Sequence, residues 1–428
     1  MSTDDSTHTD DPLAALHTDE WEAEMEELLE ETDHDTELGI EMAKDAQRLV
    51  AGQIDEEEFH AKYHEAVIDE FGVDDRPIDD AIDTVKEAGG DAAAALEAFE
   101  DDDGTDRRDA MKKFGVGAAA LSLAGWATAD AMDDEPQDQA AVAAAQEDDE
   151  DDLQWGMVID LDKCDGCLAC VVACEQENGT GDGENWMYVF AYEEEDQDDM
   201  NYLVRTCQMC SDAPCEKVCP TTARHTRSSD GLVLTDYDVC IGCRYCQVAC
   251  PYGVNYFQWG EPETPMDEID DNHTHDKRGQ WVDSRPPRGV MGKCTMCPSR
   301  QDGNMGDDMV GTTACEDACS MDAIHFGNME DPDSDPNQYL EQVREERASA
   351  NELQDDDADE WADRPDHTAS TFRLLEEIGT KPNVVFVGNE PSSDAEQVEG
   401  PVSYEDVGQV DNRKEALDDG TFAGGVTE

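Results

Sequence analysis

Apolar positions recur with helical period near the start of the chain and collapse into short runs between cysteines in its middle. In TELGIEMAKDAQRLVAG (36–52), Leu38, Met42 and Leu49 return near one face, and Gly52 stands where a helix would stop. Asp55 with Glu58 three positions later has the form of a capping pair, and Phe59, Tyr63 and Val67 give the helix behind it an apolar stripe. His60 and His64 share that helix at i and i+4, a spacing that suits a metal chelate, but a solvated helix face is the preferred reading. Residues 1–100 thus predict a small helical domain whose role the sequence leaves open. Toward the other end, TFRLLEEIGTKPNVVFVG (371–388) predicts a short helix, a Gly-Thr-Lys-Pro turn and a strand. Residues 391–428 are polar and acidic and predict a disordered tail.

Residues 101–152 form an acidic linker with one apolar interruption, DRRDAMKKFGVGAAALSLAGWATADA (106–131). Arg107 and Arg108 precede an apolar run from Phe114 to Ala127 that ends in small residues, an order resembling a twin-arginine export signal. The run is shorter than the roughly 20 residues a spanning helix needs. Ala110 and Met111 replace the usual Phe-Leu, and the segment lies far from the N-terminus, so an uncleaved buried or interfacial helix is the competing reading. Cleavage there would remove the helical domain.

Charge changes the picture of the surroundings. The chain holds 28 basic and 109 acidic residues, a net charge of −81 spread along its whole length. Such self-repulsion opposes a compact state in dilute buffer but is screened at molar salt, where the Debye length falls to about 3 Å. The balance is that of a saline cytoplasm, as in a halophilic archaeon. It also excludes nucleic acid as a partner, because phosphates would be repelled.

All sixteen cysteines of the 428 residues lie between Cys164 and Cys319. They form four arrays: Cys164, Cys167, Cys170 and Cys174; Cys207, Cys210, Cys215 and Cys219; Cys240, Cys243, Cys246 and Cys250; and Cys294 and Cys297 with Cys315 and Cys319. A C-x-x-C-x-x-C loop curls round one face of a cubane cluster and reaches three irons, and a fourth cysteine just beyond points to a neighbouring cluster. Four groups of four leave none over, which gives four [4Fe–4S] clusters in two reciprocal pairs. Structural zinc uses separated C-x-x-C pairs and has no need of triplets. Disulfides within such a run would be strained. Pro220 and Pro251 fit a chain turning away from its loop, and Gly166 and Gly242 fit backbone passing close to a cluster.

By these motifs, the segment from about Trp155 to Gly388 resembles the four-cluster iron–sulfur (beta) subunits of the DMSO reductase, polysulfide reductase and formate dehydrogenase type. The resemblance is carried by WGMVIDLDKCDGCLACVVAC, CQMCSDAPCEKVCPTTA, CIGCRYCQVACPYG, RPPRGVMGKCTMC and CEDACSMDAIHFGNMEDPDS, with RLLEEIGTKP in the tail. It implies an α+β fold of two fused ferredoxin-like modules of the bacterial two-cluster type, here with an extra N-terminal helical domain. By composition, residues 153–330 carry the cysteines as a four-cluster domain and residues 331–390 form an acidic C-terminal extension. The resemblance also implies the ligand sets: Cys164, Cys167, Cys170 and Cys319; Cys294, Cys297, Cys315 and Cys174; Cys207, Cys210, Cys215 and Cys250; and Cys240, Cys243, Cys246 and Cys219. Such subunits are not catalytic by themselves. They relay electrons between a molybdopterin catalytic subunit and a polysulfide-reductase-type, quinone-linked membrane anchor. The expected place is membrane-associated through partners, on the extracytoplasmic face after export, with the cytoplasm as the alternative. A freestanding soluble polyferredoxin is the rival function. No G-x-G-x-x-G loop, C-x-x-C-H haem motif or nucleophile–base pair argues for chemistry of its own.

Smaller signals remain. Lys163, Lys293 and Arg244 adjoin or enter the arrays; a cation there would raise a cluster's potential, although ordinary surface residues are the simpler reading. Tyr252, Tyr256, Phe257 and Trp259 read as packing round the clusters, and 261–288, with His273 and His275, as an insertion. The DPDSDP run (331–336) lacks the spacing of a calcium loop.

Overall fold

The computed structural model describes residue 13 and residues 16–32, 34–76, 153–181, 183–194, 200–352, 370–392 and 395–411. The twin-arginine-like segment lies outside the described residues. The chain runs α1 (Asp19–Glu30), α2 (Thr36–Val50), α3 (Glu56–Phe71), β1 (Trp155–Asp160), α4 (Ala169–Asn178), β2 (Tyr188–Glu193), β3 (Asn201–Arg205), α5 (Pro214–Lys217), β4 (Arg224–Thr226), β5 (Val233–Thr235) and α6 (Tyr245–Ala249). It continues through β6 (Tyr256–Phe257), β7 (Met291–Gly292), α7 (Pro298–Gln301), α8 (Ala314–Asp317), β8 (Ile324–Asn328), α9 (Asp335–Glu352), β9 (Thr371–Phe372), β10 (Val384–Val387) and β11 (Glu396–Val398).

The strand WGMVID is apolar without alternation because both of its faces are covered, and all six residues of β1 are buried. It sits inside a four-stranded sheet of order β8-β1-β10-β9, antiparallel to β8 (Met157 opposite Phe326) and parallel to β10 (Met157 opposite Val384). β2 lies between β11 and β3 in a second sheet, and β4-β5 and β6-β7 make two small hairpins. The short helices α4, α5, α6 and α8 each begin within or just after a cysteine array.

Three parts of the chain differ from the sequence expectation. The 331–390 extension contributes β10 to the sheet round β1, so strands on the two sides of the expected division at 330 are hydrogen-bonded to each other. Its helix shortens to one 3-10 turn, Glu376–Ile378, between Leu375 and Gly379, both at positive φ. The residues after 391 do not all behave as a tail: β11 pairs with β2, and the buried Tyr404 hydroxyl accepts a 3.0 Å bond from the Val189 amide. A few apolar anchors in an acidic background sufficed, and their sparseness hid them.

The N-terminal helices form as expected. Asp35 and Asp55 cap α2 and α3 by accepting from the Leu38 and Glu58 amides, and Gly72 ends α3 in the left-handed region. The stripe of Phe59, Tyr63 and Val67 is buried, and His60 is buried with it, which corrects the solvated reading, while His64 pairs with Asp74 at 2.9 Å. That apolar face does not close on itself. It continues onto α5 and α6, where Met42, Phe59 and Tyr63 share one core with Val218, Tyr245 and Val248. The Tyr245 hydroxyl donates to the Asp35 carbonyl at 2.6 Å, Gln47 donates to the Ala249 carbonyl at 3.2 Å, and Arg244 pairs with Glu31 at 3.0 Å. At the centre of this seam a Cβ on Gly39 would stand 2.6 Å from the Tyr245 ring, so only glycine lets α2 approach.

The 261–288 insertion is woven into the body. Trp281 accepts at its carbonyl from the Tyr237 amide at 2.9 Å, Asp276 pairs with buried Arg227 at 3.4 Å, and His273 is buried beside Asp283. Nearby, burial pushes the Glu184 carboxyl up from its ordinary 4.5 to about 8. The folded state therefore binds a proton the unfolded state has released, and this contribution to stability is lost as pH rises from about 4.5 to about 8. Glu184→Gln is expected to flatten that slope, by up to about 1.4 kcal/mol per pH unit. Thermal unfolding at pH 6 and pH 9 checks it; identical pH slopes in the two proteins would refute it.

Candidate iron–sulfur centres

None of the sixteen cysteines is in a disulfide. Three of the four expected sets each line a cavity. Cys174, Cys294, Cys297 and Cys315 surround one of about 20 Å³. Cys219, Cys240, Cys243 and Cys246 surround a second of about 20 Å³, and Cys207, Cys210, Cys215 and Cys250 a third of about 20 Å³. The fourth set gathers by charge: Cys319 lies near enough to Cys164, Cys167 and Cys170 to oppose the ionisation of each. The near-equal volumes suit one kind of occupant. A zinc ion would draw its sulfurs to about 2.3 Å from a single point, and no His, Cys, Asp or Glu group converges in that way among the described residues.

The loops that present these thiols repeat one backbone device. Two residues after the first cysteine of each array, Gly166, Met209, Gly242 and Met296 all have positive φ. This bend turns an amide toward a sulfur: Gly166 bonds to Cys164, Gly242 to Cys240 and Met296 to Cys294. For methionine the conformation is strained, a cost of order 1–3 kcal/mol that persists only where surrounding structure enforces it. The glycines serve a second need that differs from the sequence expectation. A Cβ at Gly166 would meet the Tyr202 ring at 2.4 Å and one at Gly242 the Gly289 carbonyl at 2.3 Å, so protein as well as the cavity crowds them.

Burial pushes the thiols up, Cys164 and Cys315 to about 12 and Cys246 to about 11, with Cys170, Cys174, Cys210, Cys243 and Cys297 raised well above the ordinary value. Thiols so placed keep their protons until a cation takes the thiolate, so loading iron releases protons. Neighbouring sets also feel one another in sequence. Cys315 of the second opposes ionisation of Cys170 in the first, Cys207 of the third opposes that of Cys294 in the second, and Cys246 of the fourth opposes that of Cys215 in the third. The sets therefore adjoin one another in the order first, second, third, fourth.

Two of the expected cations are buried, which corrects the surface reading for them. Lys293 lines the Cys207 cavity and donates to the Val233 carbonyl and, at 3.0 Å, to the Cys294 carbonyl. Arg244 lies across Phe257 and Trp259, 5.2 and 4.7 Å from their ring centres. Lys163 stays half-exposed, 4.5 Å from the centre of the Tyr339 ring. Tyr252 lines the Cys207 cavity and is buried, bonded to Thr380, as packing requires. The sequence reading missed Arg224 and Asn255, which lie outside every cysteine spacing and become visible only where β4 and the turn after α6 meet.

The fold and these thiol-lined sites define a multi-cluster iron–sulfur electron-transfer protein. A model described as the N-terminal region of 4Fe-4S ferredoxin iron–sulfur binding matches residues 16–79, and two described as 4Fe-4S dicluster domains match 198–265 and 232–320. The chain is 34% identical over 259 residues to the iron–sulfur cluster-binding subunit of menaquinone reductase from Nitratidesulfovibrio vulgaris, covering 55% of this chain and 89% of that one. It is 32% identical over 319 residues to the B subunit of selenate reductase from Mesobacillus selenatarsenatis (66% and 97%). With the arsenate respiratory reductase iron–sulfur subunit of a Shewanella strain the figures are 36% over 211 residues (44% and 87%). The chain belongs to this family, the ferredoxin-type iron–sulfur subunits of multisubunit reductases. It is an electron-transfer subunit holding [4Fe–4S] clusters and is not catalytic alone. The first match also gives the N-terminal helices a context: they are a domain found with such ferredoxins.

Proposed function

We propose that the chain holds four [4Fe–4S] clusters, one in each cysteine set, and conducts electrons from one to the next between a molybdopterin catalytic subunit and a quinone-linked membrane anchor of the polysulfide reductase type. The observation that carries this reading is the crosswise assembly of three cavities, each ringed by four thiols drawn from two arrays. The clusters supply one-electron oxidation and reduction. The chain supplies the thiolates, the amides aimed at sulfur, the buried cations and a scaffold that excludes water. Among the described residues no helix is long and apolar enough to cross a membrane, so attachment falls to partners. The proposed division is an N-terminal helical domain over 1–100, a linker over 101–152, a cluster body from 153 to 330 and an extension over 331–390 whose strand β10 joins the body's sheet.

The −81 charge supports a haloarchaeal setting. The segment 106–131 is the feature that would bring the complex to the extracytoplasmic face, and a cytoplasmic complex is the alternative. Metal analysis of the protein purified anaerobically at high salt from native membranes tests the assignment. Iron equal to four cubanes per chain, with stoichiometric molybdenum or tungsten, is the expected result. Iron without either metal, in a chain recovered alone from the soluble fraction, would favour the polyferredoxin.

A further inference from the structure

Arg224 opens β4 and is buried to 1% exposure. Its backbone amide bonds to Cys219 Sγ at 3.3 Å, and its Nη2 reaches Cys246 Sγ at 3.7 Å and Asn255 Oδ1 at 2.8 Å. Asn255 is itself fixed through a 3.1 Å bond from Nδ2 to the Cys246 carbonyl. Arg224 lines the Cys219 cavity and Asn255 the Cys207 cavity, so the guanidinium stands at the wall between the third and fourth sets. Its Nε and Nη1 have no hydrogen-bond partner.

What the cation lacks is a carboxylate. In a chain of 109 acidic residues, no ion pair to Arg224 occurs among the described residues. Arg227, three positions on and equally buried, pairs with Asp230, Asp276 and Asp302. A buried charge without a counter-charge costs several kcal/mol. The groups that face Arg224 are cysteines of both sets, Cys246 and Cys240 of the fourth and Cys215 and Cys207 of the third.

We propose that Arg224 is the shared counter-charge of the third and fourth clusters and sets the potentials of both. This rests on the cluster assignment above. Each electron added to either cluster adds negative charge beside a fixed cation in a water-poor wall, so Arg224 favours both reduced forms and keeps the pair accessible to the same donor. It acts through the clusters as a positioning charge, with no bond made or broken.

The test is a redox titration of the full chain, purified anaerobically with its partners and followed by electron paramagnetic resonance, for the parent, Arg224→Gln and Arg224→Lys. In Arg224→Gln, two of the four signals are expected to show a reduced-to-oxidised ratio at least tenfold lower at a fixed potential, a fall of about 59 mV for a one-electron couple. The other two hold, and Arg224→Lys returns toward the parent. A shift in one signal alone, equal shifts in all, or no shift at full iron content overturns the proposal. If Arg224→Gln loses iron, Arg224→Lys decides: full iron with both potentials fallen despite the retained charge overturns it. A parent chain without iron would instead overturn the cluster assignment itself.

Discussion

Cys250→Ser combined with Cys215→Ser is expected to remove one cluster, whereas Cys250→Ser combined with Cys246→Ser removes two. Cys250 and Cys246 are neighbours on the same array, yet Cys250 lines the cavity with Cys207, Cys210 and Cys215, and Cys246 lines the other with Cys219. A cubane needs one thiolate on each of its four irons. Removing two ligands from one ring therefore costs one cluster, about a quarter of the iron, and removing one from each of two rings costs about half. Iron content and spin quantitation on the two double variants decide it, and the reverse pattern, two clusters lost with Cys215→Ser and one with Cys246→Ser, would show that each array keeps its own cluster. A three-iron cluster in a single variant still separates the pairs, since its spectrum differs from that of an intact cubane.

The second large effect lies at the seam between the helices and the body. Gly39→Leu would drive a branched side chain into the Tyr245 ring, where even a Cβ stands 2.6 Å away. Overpacking of this kind costs about 1–3 kcal/mol, and relief by separation would also release the Tyr245–Asp35 and Gln47–Ala249 hydrogen bonds. Limited proteolysis is expected to free the N-terminal helices. The fourth cluster, whose Cys243 and Cys246 belong to the shared core, is then expected to bleach in air several times faster than in the parent while the other three hold. A freed domain with all four clusters decaying at parental rates would show that the helices do not protect that centre.

The cysteine spacing made the centres legible because cluster chemistry fixes both the number of thiolates and the curl of the loop that presents them. Helices with capped ends and regular stripes, α2 and α3, were legible for the same local reason. What escaped were features made by distant residues. The Val384–Val387 strand reads as a strand, but nothing local says that it lies beside Trp155–Asp160. His60 sits on an acidic helix, where neighbouring residues give no sign that it is buried. Tyr404 is one aromatic residue among charges until β2 offers it an amide. Arg224 carries no motif, and its meaning comes from the absence of the carboxylate that Arg227 has in triplicate.

The seam also bears on membrane topology. Residues 19–76 precede the twin-arginine-like segment and residues 153–411 come after it, yet Met42, Phe59 and Tyr63 complete their core on Tyr245 and Val248. Translocation led by that segment would part the chain, delivering the cluster body and retaining the three helices. Were that segment to lead export, docking and translocation would exclude one another, and passage across the bilayer would uncover an apolar patch beside Cys243 and Cys246. A body exported in that way would lack the three helices, whereas one kept in the compartment of synthesis would carry them.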